Sequence, residues 1–220
     1  MRHKKKYRMK PRFFVILAVL VGLIAGGILY FNFHSDSKAE NDEKSAQLDQ
    51  GYQIMLASRM YICNKDLRYD DKYYAGGYPP EDIGVCTDVV WKGFQGIGVN
   101  LKNLVDKDIA ENIEAYSDVI SVNADPNIDF RLVPTLEVFF QRNAENLTTD
   151  VDNLLAWQPG DIVTFESSHV AIVSSIRNIW GRPYIIQHGK DPAAEEDRIF
   201  ASDGMEISGH FRWPLVKKLN

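Results

Sequence analysis

Apolar positions follow three patterns in turn along this chain. From Phe13 to Phe31 they make a run of 19 residues without a charge, FFVILAVLVGLIAGGILYF. A helix of that length reaches about 28 Å, close to the roughly 30 Å hydrocarbon core of a bilayer. The second pattern is helical spacing. It appears from Gln47 to Ile62 (Leu48, Tyr52, Met55, Leu56, Met60, Tyr61), in TDVVWKGFQ after Cys86, and from Leu101 to Ile120 with Leu101, Leu104, Val105, Ile109 and Ile113 on one face. Residues 121–134 are rich in turn formers, and TLEVFFQR after Pro134 predicts a short helix. The third pattern begins at Trp157, where short β-branched runs alternate with turn signals: DIVTF (161–165), HVAIVSSI (169–176), PYIIQHG (183–189) and GHFRWP (209–214). Their short connections favour antiparallel pairing. The expected fold is α+β, with N-terminal helices packed on a small antiparallel sheet.

Charge places the boundaries. Residues 1–12 hold seven basic side chains and no acidic one. The other 18 Lys and Arg stand against 30 Asp and Glu, a net of −12. So acidic a body repels phosphate, and nucleic acid is excluded as a partner. The apolar run ends in Tyr30, Phe31 and Phe33, aromatics suited to a membrane interface, and no Ala-x-Ala site follows. An uncleaved anchor at 13–33 is therefore expected in preference to a signal peptide. Basic residues precede the span and acidic ones follow it, which keeps the tail (1–12) cytoplasmic and exports the body. Residues 34–46 read as a polar linker, and 47–220 as one globular domain.

The chemistry centres on Cys86, one of two cysteines. Pro79 and Pro80 disfavour helix ahead of it, so a loop-to-helix junction near Gly84 places Cys86 in the first turn of a helix. Unpaired N–H groups and the helix dipole favour a thiolate there. Beyond residue 36 the histidines are His169, His188 and His210. His169 opens a predicted strand and His188 closes the next. If those strands are antiparallel neighbours, His188 sits beside His169, the first as orienter and the second as base. Bland readings compete: a Cys63–Cys86 disulfide, histidines buried for packing, or an ordinary surface pair made by Asp129 and Arg131. No paired metal-ligand spacing and no Gly-rich phosphate loop is present, and no metal or cofactor is expected. Arg131 is a candidate to bind a substrate carboxylate, and Asp88 either lines the site or strengthens the helix start. Glu195-Glu196-Asp197 reads as a solvated loop.

Tyr73-x-x-Gly76-Gly77, GVCTDVV, WQPGDIVTF, HVAIV and IIQHG, in that order, resemble the landmarks of the NlpC-type cell-wall cysteine peptidases. The match is closer still to a bacterial domain family of unknown function marked by GGYPP…GVCTDVV and GHxR. The resemblance covers roughly residues 50–215. It implies a papain-like core, with Cys86 as nucleophile, His169 as general base, His188 as the orienting third residue and Tyr73 contributing to oxyanion stabilisation. Val85 stands where the superfamily has Asp, and Thr87-Asp88 where it has Ser-Gly, so substrate preference is open. His210, in GHFRW, is the reserve candidate for the third position.

Together these features lead to the expectation of a membrane-anchored, extracytoplasmic cysteine amidase or peptidase acting on peptidoglycan peptides. The alternatives are a non-catalytic wall-binding domain, and an acyltransferase or amidase acting on lipid or small amides.

Overall fold

The computed structural model describes residues 40–120, 123–199 and 205–215. The expected tail and anchor, with the first part of the linker, lie outside them. Among the described residues no helix is long and apolar enough to cross a membrane. The chain divides into two compact units, Met1–Ser45 and Ala46–Asn220, and the second carries the fold.

Helix α1 occupies residues 40–62, so the last part of the expected linker is already helical. Its packed face is not the one read from the apolar spacing. Ile54, Met55 and Ser58 are buried, while Leu48, Tyr52, Leu56 and Met60 remain exposed. The reason is Gly51. A Cβ there would lie 2.3 Å from the Pro159 carbonyl oxygen, so only glycine lets this face meet the turn before the sheet.

A two-stranded parallel pair, β1 (Arg68–Tyr69) and β2 (Ile83–Gly84), leads into α2 (Cys86–Gln95). Helix α3 (Leu101–Glu111) is capped by the Asn100 side chain, which accepts the Asn103 N–H at 3.0 Å. It stops short of the expected Ile120, and a 3-10 turn, Ile113–Tyr116, follows. Another 3-10 turn, Asp129–Arg131, precedes α4 (Val133–Asn143), which has Pro134 in its first turn.

The sheet contains β3 (Glu145–Asn146), β4 (Ile162–Phe165), β5 (His169–Arg177), β6 (Pro183–Gln187), β7 (Ala194–Glu196) and β8 (Ile207–Arg212). All its pairings are antiparallel, in the order β3-β8-β4-β5-β6-β7. Both faces are covered. Val170, Ile172 and Ile186 pack with α2 and α4, whereas Ala171, Val173 and Ile185 pack with Trp157, Phe165 and Ile199. The α+β expectation holds, and the four strand-like runs are β4, β5, β6 and β8. The acidic run expected as a loop is instead β7 and the turn after it. Glu195 pairs with Arg59 at 2.6 Å and hydrogen-bonds Ser174.

Candidate active site

Cys86 is the first residue of α2, after the N-cap Val85. Asp88 Oδ2 accepts the Val85 N–H at 2.8 Å, fixing the helix start and with it the cysteine. His169 is the first residue of β5. The two line one cavity of about 450 Å³, together with Tyr69, Gln187, Lys190, Glu196 and Arg198. The Val170 N–H, next to His169, is directed at the Cys86 sulfur.

The imidazole is held by Gln187, not His188. His169 Nε2 hydrogen-bonds Gln187 Oε1, and Gln187 Nε2 donates to Glu196 Oε1 at 2.6 Å. Strand alternation explains the exchange. Ile172 pairs with Ile186; continuing that register sets Ala171 opposite Gln187 and Val170 opposite His188. Side chains point alternately to the two faces, so Gln187 shares the face of His169 and His188 takes the other. His188 is fully buried, with Nε2 3.1 Å from Asp191 Oδ1 and its ring edge-on to Tyr69. Gly189 leaves room for the imidazole, since a Cβ there would stand 3.2 Å from His169 Cε1.

Burial dominates the electrostatics. It pushes the Cys86 thiol up to about 11, and the Asp88 carboxylate adds to the rise, against the N–H groups of Val170, Thr87 and Cys86. Burial also lowers His169, opposed by Gln187 and Glu196 and reinforced by Arg198. Both shifts favour a neutral thiol beside a neutral imidazole over an ion pair in the free protein. Burial at this helix N-terminus therefore works against the thiolate that the dipole favours. Cys63, at the exposed end of α1, and Cys86 are both free, so no disulfide joins them.

The other candidates are placed elsewhere. Tyr73 is 56% exposed and its hydroxyl bonds Asp125 Oδ2 at 3.1 Å, away from the cavity. Tyr69 lines the cavity in its place. The Cys86 sulfur is among the groups that raise the Tyr69 phenol, after burial itself. Asp88 and Arg131 do not reach the cavity either. They form a buried ion pair, Nη2–Oδ2 2.8 Å and Nε–Oδ1 3.0 Å, and Trp91 Nε1 donates to the same carboxylate at 2.6 Å. A surface Asp129–Arg131 pair is likewise absent, for Asp129 instead accepts the Asp125 N–H at 2.7 Å. His210 is structural. Its ring stacks on Trp157 at 3.7 Å, and its nitrogens meet Thr148 O at 2.7 Å and Asp161 Oδ2 at 3.0 Å. Arg212 closes the same network on Asp161 at 2.7 and 2.8 Å, tying GHFR to the Gln-Pro-Gly-Asp turn. Among the described residues no cluster of three or more His, Cys, Asp or Glu is placed to hold a metal ion.

Gln187, Glu196 and Tyr69 are the residues that sequence reading missed. The available signal for Gln187, the last residue of β6, was strand alternation, which turns it to the face opposite that of His188. Nothing local singled out Glu196 or Tyr69, whose roles depend on β7 and β1 reaching the cavity.

No solved structure matches the chain. It is 35% identical over 156 residues to the uncharacterized protein YijF of Escherichia coli (strain K12), a match covering 67% of this chain and 74% of that protein. Residues 57–213 match the model of a domain of unknown function (DUF1287), a span that takes in Cys86, His169, Gln187 and the His210–Asp161–Arg212 network, and the chain belongs to that family.

Proposed function

We propose that this chain is a membrane-anchored, extracytoplasmic cysteine amidase or peptidase with a papain-like core, acting on the peptide part of peptidoglycan. The observation that carries the reading is the cavity shared by Cys86 and His169, with Gln187 holding the imidazole. A nucleophile on a helix start, a base on a strand start and a polar orienter form the set that amide hydrolysis through sulfur requires. The order of landmarks shared with NlpC-type peptidases supports a wall peptide as substrate. The run at 13–33 supports an anchor that keeps the domain within reach of the wall.

In this mechanism His169 Nδ1 takes the Cys86 proton as the sulfur attacks the amide carbonyl carbon. The oxyanion is met by the Cys86 N–H and the Tyr69 hydroxyl. Collapse breaks the C–N bond, the imidazolium gives its proton to the leaving amine, and a thioester remains. Water, deprotonated by the same nitrogen, attacks the thioester carbonyl. The sulfur departs and takes the proton back. General-base removal of the thiol proton during attack suits the neutral pair that burial favours.

The test is release of new amino groups from muropeptides by the full chain and by Cys86→Ala. Loss of release at an unchanged melting temperature supports the reading; full activity in the variant refutes it. The other outcome of this test is a non-catalytic wall-binding domain. Co-sedimentation with cell wall without amine release would establish that reading instead.

A further inference from the structure

The hydrogen bonding around His169 does not end at Gln187. The Gln187 amide is a two-ended group, and either end can face the imidazole. Glu196, on the neighbouring strand β7, removes that freedom. Gln187 pairs with Ala194 and Ile185 with Glu196, so Gln187 and Glu196 are diagonal neighbours on one face of the sheet. Glu196 Oε1 lies 2.6 Å from Gln187 Nε2. A carboxylate only accepts, so the Gln187 NH2 must point to Glu196 and its Oε1 must point to His169. Since Oε1 only accepts, His169 must carry its proton on Nε2, and Nδ1 is left as the lone-pair nitrogen.

We propose that Glu196 is a positioning residue of the catalytic site, which through Gln187 sets the His169 tautomer whose Nδ1 receives the Cys86 proton. The inference rests on the hydrolase reading for its catalytic consequence, but the tautomer itself does not depend on turnover. The charge has a second effect. The groups facing His169 are Cys86 from α2, Tyr69 from β1, Gln187 from β6, Glu196 from β7, and Arg198 and Lys190 from the flanking turns. Among them Glu196 supports the imidazolium and Arg198 opposes it.

The experiment uses the full chain and three variants: Glu196→Gln, which keeps volume and an acceptor but not the charge; Glu196→Leu, which removes the acceptor; and Glu196→Asp, the conservative control. Imidazole 15N NMR, with the His169 signals assigned through their loss in His169→Gln, reads the tautomer directly. The wild type is expected as the Nε2–H form and Glu196→Leu as a mixture. In muropeptide cleavage, kcat/KM is expected to fall about 10- to 100-fold in Glu196→Leu, by analogy with the loss of an outer-shell partner that orients a metal-binding histidine. In Glu196→Gln the acid limb of the kcat/KM profile moves to lower pH, because loss of the anion makes the imidazolium easier to deprotonate; Glu196→Asp restores it. In a Gln187→Ala background, Glu196→Leu is expected to leave the His169 tautomer where Gln187→Ala alone puts it, while the direct charge effect on the acid limb persists. An unchanged tautomer in Glu196→Leu with an unmoved acid limb in Glu196→Gln overturns the proposal, as does a wild-type Nδ1–H form. Should Glu196→Leu fail to fold, Glu196→Ala, which also removes the acceptor, decides through its His169 tautomer. If the wild type cleaves nothing, the hydrolase reading fails, and the tautomers of wild type and variants alone decide the role of Glu196.

Discussion

The buried Asp88–Arg131 pair offers the sharpest test of how the catalytic helix is held. The Asp88 carboxylate accepts four bonds: from the Val85 N–H at 2.8 Å, from Trp91 Nε1 at 2.6 Å, and from Arg131 Nε and Nη2 at 3.0 and 2.8 Å. The two side chains are 0% and 1% exposed. Arg131→Met keeps the apolar stem but removes two of the four donors and the paired countercharge, leaving a carboxylate in a site without solvent. Two charge-assisted hydrogen bonds at about 1.5–3 kcal/mol each give a loss of roughly 3–6 kcal/mol. Breaking a buried ion pair from one side independently gives about 3–5 kcal/mol. For a domain of this size each kcal/mol moves the melting temperature by about 2–4 °C, so a fall on the order of 10 °C is expected. The assay is urea and thermal unfolding of wild type, Arg131→Met, Asp88→Asn and the double variant. The double variant should recover about 1–3 kcal/mol relative to the sum of the single changes, because neither partner is then a lone buried charge. A substrate-binding role would give a different result, with KM raised and stability untouched. Melting of Arg131→Met within about 1 °C of wild type would refute the structural assignment.

The remaining predictions concern the site and its supports. Because burial raises the Cys86 thiol to about 11, the folded state holds a proton that the unfolded chain releases near the ordinary thiol value. Its contribution to stability is fully present below about pH 8.5 and is lost as pH rises toward 11, by up to roughly 3 kcal/mol. Subtracting the unfolding free energies of Cys86→Ala from those of wild type across that range isolates this slope, and a flat difference refutes it. Tyr69→Phe is expected to lower kcat/KM on muropeptides about 100- to 1,000-fold while Tyr73→Phe leaves it unchanged, since of the two only Tyr69 lines the cavity; the reverse ranking would return the role to Tyr73. Gly51→Ala is expected to destabilise by about 1–3 kcal/mol in urea unfolding, because its methyl group meets a backbone carbonyl that has no rotamer with which to yield. No change in the unfolding midpoint would show that α1 does not pack closely on the Pro159 turn.

Much of this protein follows from its sequence because the responsible signals are local. The prolines before Cys86, the Val89–Val90–Phe94 spacing and the β-branched runs after Trp157 each act over a few residues, through propensity, periodicity and turn chemistry. They were enough to place Cys86 at a helix start and His169 at a strand start, and to order helices before strands. What the tertiary structure alone decided depends on registers and neighbours. His188 carries the chemistry of an orienting residue, yet a single-residue step along β6 turns it to the wrong face and puts Gln187 against His169. Glu196 looks like one more solvated acid until β7 docks on β6. Arg131 looks like a surface charge until the 3-10 turn at 129–131 delivers it under α2 to Asp88. The thiol tells the same story: a helix N-terminus favours the thiolate, but how deeply that terminus is buried is set by everything packed around it, and here burial wins because desolvating a charge costs more than the dipole returns.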